Sequence, residues 1–280
     1  MTPLVSTADL ASRLSDSRVV IVDVRHDLAQ PEAWGEAQYR AAHIPGAHFA
    51  HLDSDLSAHR TGRNGRHPLP TPEAAAATFS RLGIEPGKEV VAYDQGSGMF
   101  AVRLWWMLRW LGHDDVAVLD GGFEKWRREG RAVTAEVPPP AHAKFVSRHP
   151  SPTLSADDVR RALDANALSL VDARAGERYR GEVEPLDPVA GHIPCARNRP
   201  YAENLNPDGT FKPPEALRRE FAALLGTTPL DRVVHYCGSG VSACHNLLAM
   251  EVAGLPGTRL YPGSWSEWCS DATRPVATGA

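Results

Sequence analysis

Four short apolar runs punctuate the chain, at residues 19–24, 90–93, 168–171 and 233–236. Each is too short for a helix, and an unbroken apolar run of this length reads as a strand buried on both faces. Longer stretches of mixed polarity between the runs read as helices. In each half the order is helix, strand, loop, helix, strand, helix, short strand, helix. Such alternation predicts an α/β fold, with a mainly parallel sheet flanked by helices on both faces.

The halves are copies of one another. Val22-Asp23-Val24-Arg25 recurs 149 residues later as Val171-Asp172-Ala173-Arg174, and His43-Ile44-Pro45-Gly46-Ala47 recurs at the same spacing as His192-Ile193-Pro194-Cys195-Ala196. Ser6 and Asp9 match Ser155 and Asp158, each pair a capping-box-like helix start. Near the end of each repeat, Gly122-Phe123-Glu124-Lys125-Trp126 aligns with Ser264-Trp265-Ser266-Glu267-Trp268 at a spacing of 142. The change in spacing gives the first half about seven extra residues, which fall in the polar segment 53–70 with its Arg60, Arg63, Arg66, His59 and His67. A polar loop of that length is more often functional than idle. The predicted organisation is a first domain over 1–135, a proline-rich linker over 136–152 and a second domain over 153–280.

The second half carries the candidate chemistry. The run 233–236 ends at Cys237, turns through Gly238-Ser239-Gly240 and continues as Val241-Ser242-Ala243 into a helical stretch. Strand, tight loop and helix N-terminus converge backbone N–H groups on one point, where a thiolate is stabilised by those groups and the helix dipole. A lone cysteine ending a strand is usually core packing, but packing has no need of a Gly-Ser-Gly bend. Cys237 is therefore the candidate nucleophile. Cys244, seven residues on, falls about two turns into the helix and is expected to be buried, with a resolving role as a weaker alternative.

Composition adds exclusions. The chain is 42% hydrophobic and 23% charged with a net charge of −4, and no basic face predicts nucleic-acid binding. Arg103, Arg109, Arg127, Arg128 and Arg131 are scattered and read as solvated. No apolar run approaches a membrane span, and the first residues lack the pattern of an export signal. The four cysteines show no Cys-x-x-Cys spacing and no paired-histidine motif, so neither metal nor cofactor is expected. Few cysteines without an export signal fit a reducing cytoplasm.

These motifs together resemble the tandem-domain rhodanese family of sulfurtransferases over nearly the whole chain. The carrying residues are the duplicated Val-Asp-x-Arg and His-Ile-Pro elements, the loop from Cys237 to Val241, and Gly263-Ser264-Trp265-Ser266-Glu267-Trp268. The resemblance implies two rhodanese-like domains, the first silent because Asp94 stands in the place of Cys237. It implies an enzyme that takes sulfane sulfur onto Cys237 and passes it to a thiol, such as thioredoxin or a low-molecular-weight thiol, or to cyanide. The neutral Gly238-Ser239-Gly240 resembles the 3-mercaptopyruvate branch, whereas the thiosulfate branch carries two cations after the cysteine; thiosulfate is the alternative donor. In the first branch a Ser–His–Asp relay falls on Ser239, His67 and Asp53. Gly238, Gly240, Val241 and Ser242 line the substrate, and Arg178 matches the first of two arginines that hold its carboxylate. The second has no counterpart, Leu186 and Asp187 standing in its place; Arg180 or an arginine of the first half is left to substitute. Two other readings compete. A cysteine-dependent phosphatase needs an arginine six residues after the cysteine, where Ala243 stands. A non-catalytic rhodanese-like binding protein has no need of an intact cysteine loop.

Overall fold

The structure, a computed structural model, describes residues 2–141, 143–148 and 150–280. They form two compact units. The first holds the residues up to 58 together with 70–151 and 207–211; the second holds 59–69, 152–206 and 212–280.

The first unit runs β1 (Leu4–Val5), α1 (Thr7–Ser12), β2 (Val19–Asp23), α2 (Trp34–Ala41), β3 (His48–Phe49), α3 (Pro72–Arg81), β4 (Glu89–Tyr93), α4 (Ala101–Trp110), β5 (Val116–Leu119) and α5 (Gly122–Arg128). Its sheet has the order β1-β5-β4-β2-β3, and every pairing is parallel. The second unit runs α6 (Ala156–Asp164), β6 (Ser169–Asp172), α7 (Gly176–Tyr179), β7 (Arg197–Asn198), α8 (Pro214–Leu225), β8 (Val233–Tyr236), α9 (Ala243–Val252), β9 (Arg259–Leu260) and α10 (Ser264–Trp268). Its parallel sheet has the order β7-β6-β8-β9. The apolar runs are thus the central strands of two parallel sheets, as their unbroken hydrophobicity requires.

The repeated motifs are the fastenings of each unit. Asp23, buried at the end of β2, accepts the guanidinium of Arg25 and the hydroxyl of Tyr93, and Tyr93 in turn accepts the Ile44 N–H at 3.2 Å. The second unit repeats this: Asp172 holds Arg174, and Tyr236 accepts the Ile193 N–H at 3.2 Å. Arg25 donates onward to the Ala42 carbonyl and Arg174 to the Gly191 carbonyl, each at 2.7 Å. Buried charges need partners of this completeness. His43 and His192 each place Nδ1 2.7 Å from a tyrosine carbonyl, that of Tyr39 or Tyr179, and stack on the same ring. Their backbones pair with Thr134 and Ala277, so each His-Ile-Pro ties down the segment that follows the last helix of its unit. Ser6 caps α1, and Ser155 with Asp158 makes a complete capping box on α6.

Three expectations change. Arg103 is not solvated: it lies wholly buried on α4 and donates to the Leu56 carbonyl, because every face of that turn meets core. Helix α9 starts at Ala243 rather than Val241, because Gly240 takes a left-handed φ of +75° and a side chain there would lie 2.1 Å from the Pro262 carbonyl oxygen. Cys244 therefore sits in the first turn of α9. The proline-rich stretch before residue 152 lies along the first unit, with Phe145 buried against Phe79 and the Trp110 indole donating to the Ser151 carbonyl.

Cys195 stands where the first repeat has Gly46, and both take a left-handed backbone, φ +64° and +79°. A side chain there costs about 1 kcal/mol. Cys195→Gly is expected to raise unfolding stability by about 0.5–1 kcal/mol, read as a higher denaturant midpoint at unchanged slope. A lower midpoint would contradict the assignment of strain to this position.

Candidate active site

Cys237 follows β8, one of the two inner strands of the second sheet, at the carboxyl edge where α/β folds hold their ligands. Its side chain is buried, 1% exposed. The geometry of the loop is made plain by the first unit, where Asp94 follows β4 at the matching place. The Asp94 carboxylate accepts N–H groups from Gly96 (3.0 Å), Gly98 (2.9 Å), Phe100 (2.8 Å) and Ala101 (3.3 Å). Burial pushes that carboxyl above its ordinary range, and the four N–H groups pull against it. This loop is an anion cradle filled by its own side chain. In the second unit Cys237 stands in the place of Asp94, in a loop one residue shorter: Gly240 at φ +75° matches Gly98 at +79°, and α9 and α4 start at Ala243 and Ala101. The N–H groups of Ser239 and Val241 make no hydrogen bond among the described residues. Both loops leave a strand, pass a left-handed glycine and enter a helix, and the first is filled by a carboxylate of its own.

Helix α10 sets the shape of this loop. The Trp265 and Ser266 N–H groups donate to the carbonyls of Cys237 and Gly238, each at 2.9 Å. Ser264, at a left-handed φ of +54°, accepts the Cys237 N–H on its hydroxyl at 3.1 Å. With its carbonyls tied to α10, the loop turns its remaining N–H groups the other way. The first unit does the same with Phe123 and Glu124 on Asp94 and Gln95.

Residues 59–69 belong to this unit and lie on α10. Ser266 accepts the Arg66 N–H on its hydroxyl at 3.0 Å, and a side chain at Gly65 would lie 2.9 Å from the Gly263 carbonyl oxygen. The neighbouring His67 is buried, and its Nδ1 shares a 2.7 Å hydrogen bond with the Ser239 hydroxyl.

Above the loop stand two guanidinium groups. A Cβ placed on Gly238 would lie 2.6 Å from Arg66 Nη2 and 3.5 Å from Arg178 Nη1. Both belong to a chain of alternating charge that starts at the end of β6: Asp172, Arg174, Glu184, Arg178, Asp187, Arg66. Burial works against the Glu184 charge, but Arg178 and the N–H groups of Leu186 and Asp187 hold its carboxyl below the ordinary range. Asp187 is 2% exposed and bridges Arg66 and Arg178.

The rhodanese-like domain matches the chain twice, over residues 6–129 and 155–271. The chain belongs to the rhodanese-like family. A Pseudomonas aeruginosa protein provisionally named a 3-mercaptopyruvate sulfurtransferase is 48% identical over 99% of this chain and 98% of its own length. A Mycobacterium tuberculosis protein provisionally named a thiosulfate sulfurtransferase is 41% identical over 99% of this chain and 97% of its own. The crystal structure of SseA from Escherichia coli, described under the rhodanese fold and the 3-mercaptopyruvate sulfotransferases, matches with a TM-score of 0.82 and 32% identity, over 95% of this chain and 99% of that one. This rhodanese-like protein is a sulfurtransferase, with two domains of parallel sheet flanked by helices.

Of the residues singled out by sequence, Cys237, Ser239, His67, Arg178, Gly238, Gly240, Val241 and Ser242 all belong to the second unit. Asp53 belongs to the first, where its N–H donates to His51 Nδ1 at 3.1 Å. There His26, His51 and Asp53 bring ligand atoms within 4.8 Å of one another, a grouping able to hold a metal ion. Arg180 pairs with Glu182 in solvent. Two other thiols are buried: burial pushes Cys269 up to about 11, and Cys244 Sγ donates to the Gly240 carbonyl at 3.4 Å, while Cys195 is exposed. His235, fully buried before the loop, is pushed by burial down to about 3 and stays neutral. Sequence reasoning missed Ser264, Ser266, Glu184 and Asp187 as parts of the site. The repeat alignment held one signal, since Ser264 falls opposite Gly122, a position that needs a left-handed backbone in both copies.

Removing the first unit's internal anion leaves its N–H groups buried and unpaired. Asp94→Ala is expected to cost about 2–4 kcal/mol of unfolding free energy, measured by denaturant titration. Unchanged stability would show that the carboxylate is not what fills that cradle.

Proposed function

We propose that the donor is 3-mercaptopyruvate and that Cys237 carries its sulfur as a persulfide. The observation that carries this reading is the 2.7 Å hydrogen bond between the buried Ser239 hydroxyl and His67. Transfer from this donor requires a proton to move, while transfer from thiosulfate does not. The Cys237 thiolate attacks the donor sulfur, an S–S bond forms and the carbon–sulfur bond breaks. Its electron pair goes to carbon as the enolate of pyruvate. The proton of the donor thiol passes through Ser239 and His67 to that carbon, giving pyruvate and the Cys237 persulfide anion. An imidazole exchanges protons readily near neutral pH. Covalent storage divides one difficult transfer into two attacks at sulfur. The persulfide anion is held by the loop N–H groups until a thiol, such as thioredoxin or a low-molecular-weight thiol, or cyanide removes its outer sulfur. A reducing compartment such as the cytoplasm would keep the thiol available.

Charge supports the same donor. Arg66 and Arg178 are balanced by Asp187 and Glu184, so the group above Gly238 is neutral as a whole. It suits one carboxylate better than a dianion placed directly at the sulfur. Thiosulfate remains the second reading, favoured by the name of the Mycobacterium tuberculosis relative.

Side-by-side steady-state assays are expected to give a higher kcat/KM with 3-mercaptopyruvate than with thiosulfate. Ser239→Ala is expected to lower kcat with 3-mercaptopyruvate about a hundred-fold and to leave thiosulfate turnover within a few-fold. A wild-type preference for thiosulfate, or equal losses with both donors, would overturn the donor assignment.

A further inference from the structure

The place of a second carboxylate-binding arginine is taken in sequence by Leu186 and Asp187, yet Asp187 brings an arginine to the site from elsewhere in the chain. We propose that Arg66 is this second cation, holding the donor carboxylate together with Arg178, and that Asp187 positions both guanidinium groups. The proposal rests on the 3-mercaptopyruvate reading and deepens it.

The geometry is specific. Arg66 donates Nε and Nη2 to the two oxygens of Asp187 at 2.9 and 3.1 Å, a side-on fork that fixes the plane of the guanidinium. Arg178 donates Nε and Nη2 to Glu184, and its Nη2 also reaches Asp187 at 3.4 Å. Each arginine thus commits one edge to a buried carboxylate, and Nη1 of neither makes a hydrogen bond among the described residues. Both groups lie over Gly238, close enough for one carboxylate to bridge them. Their side chains are 20% and 17% exposed, within reach of a ligand, while Asp187 and Glu184 are 2% and 3% exposed and lie behind them. The bridging carboxylate does two things at once. It cancels the repulsion that would drive two bare arginines apart, and it locks the rotamers of long side chains before the donor arrives. The donor then meets an arranged pair of N–H edges and loses less entropy on binding.

Arg66 also stands next to His67 in sequence, and both are fixed by the same loop on α10. A three-carbon donor has its carboxylate at one end and its thiol at the other. Arg66 addresses the first and His67, through Ser239, the second. The loop therefore carries a recognition group and a proton-handling group side by side, which accounts for a polar insertion in this half of the repeat.

The test compares wild type with Arg66→Gln and Arg66→Lys on two donors. With 3-mercaptopyruvate, Arg66→Gln is expected to raise KM about ten- to a hundred-fold with a smaller change in kcat, and Arg66→Lys to recover part of that loss by keeping the charge without the fork. The second donor is benzyl hydropersulfide, which has no carboxylate. Cys237 thiolate takes its outer sulfur and benzyl thiolate leaves, and the rate of persulfide formation is expected to stay within about two-fold of wild type in both variants. That donor also shows that the variants are folded and the loop intact. An unchanged KM for 3-mercaptopyruvate, or equal losses with the two donors, would overturn the assignment of Arg66 alone. Absence of wild-type turnover with 3-mercaptopyruvate would overturn the donor reading beneath it, and the Arg66 proposal with it.

Discussion

The hydrogen bonds from the start of α10 to the carbonyls of Cys237 and Gly238 are the constraint on which the site depends. A strand that ends in a loop has carbonyl and N–H groups with equal claim on the interior. Tying the carbonyls to one helix end settles the direction of the loop and leaves the N–H groups facing the opposite way. Gly240 makes this possible, since only a residue without a side chain passes so close to Pro262. Ser266 extends the constraint: its N–H holds the Gly238 carbonyl while its hydroxyl holds the backbone of Arg66. One residue thereby fixes the nucleophile loop and the loop of His67 and Arg66 relative to each other.

The duplication separates structure from chemistry. What the two units share is fastening: the buried Asp–Arg–Tyr groups, the His-Ile-Pro turns, and the buried tryptophans Trp126 and Trp268 of the last helices. What they do not share is the occupant of the cradle. In the first unit the Asp94 carboxylate satisfies the N–H groups internally, which stabilises the loop and closes it to ligands. In the second, Cys237 stands in the place of that aspartate, in a loop one residue shorter. A persulfide anion is close in charge and reach to the carboxylate it replaces. On the proposed mechanism, the first unit shows what a loop of this kind offers a buried anion.

Much of this was legible because parallel strands buried on both faces leave an unbroken apolar run, and because two copies of each motif can be checked against one another. The strand, loop and helix around Cys237 were legible too, since they are local in sequence. The short edge strands β1, β3 and β7 were not, having too few residues to show a period. The burial of Arg103 escaped composition, because an arginine in a core is decided by the groups that close over it. The chain of charge from Asp172 to Arg66 escaped for the same reason: its partners come from distant segments, and Asp187 read in isolation marks the loss of an arginine. Only with Arg66 folded against it does that aspartate become the means of placing one.

The central claim is that sulfur rests covalently on Cys237 between donor and acceptor. Intact-protein mass after incubation with 3-mercaptopyruvate and removal of excess donor addresses it directly. The account predicts a gain of one sulfur atom in the wild type, lost again on addition of cyanide, and no gain in Cys237→Ser. The same gain in Cys237→Ser would place the chemistry on another residue and contradict the account.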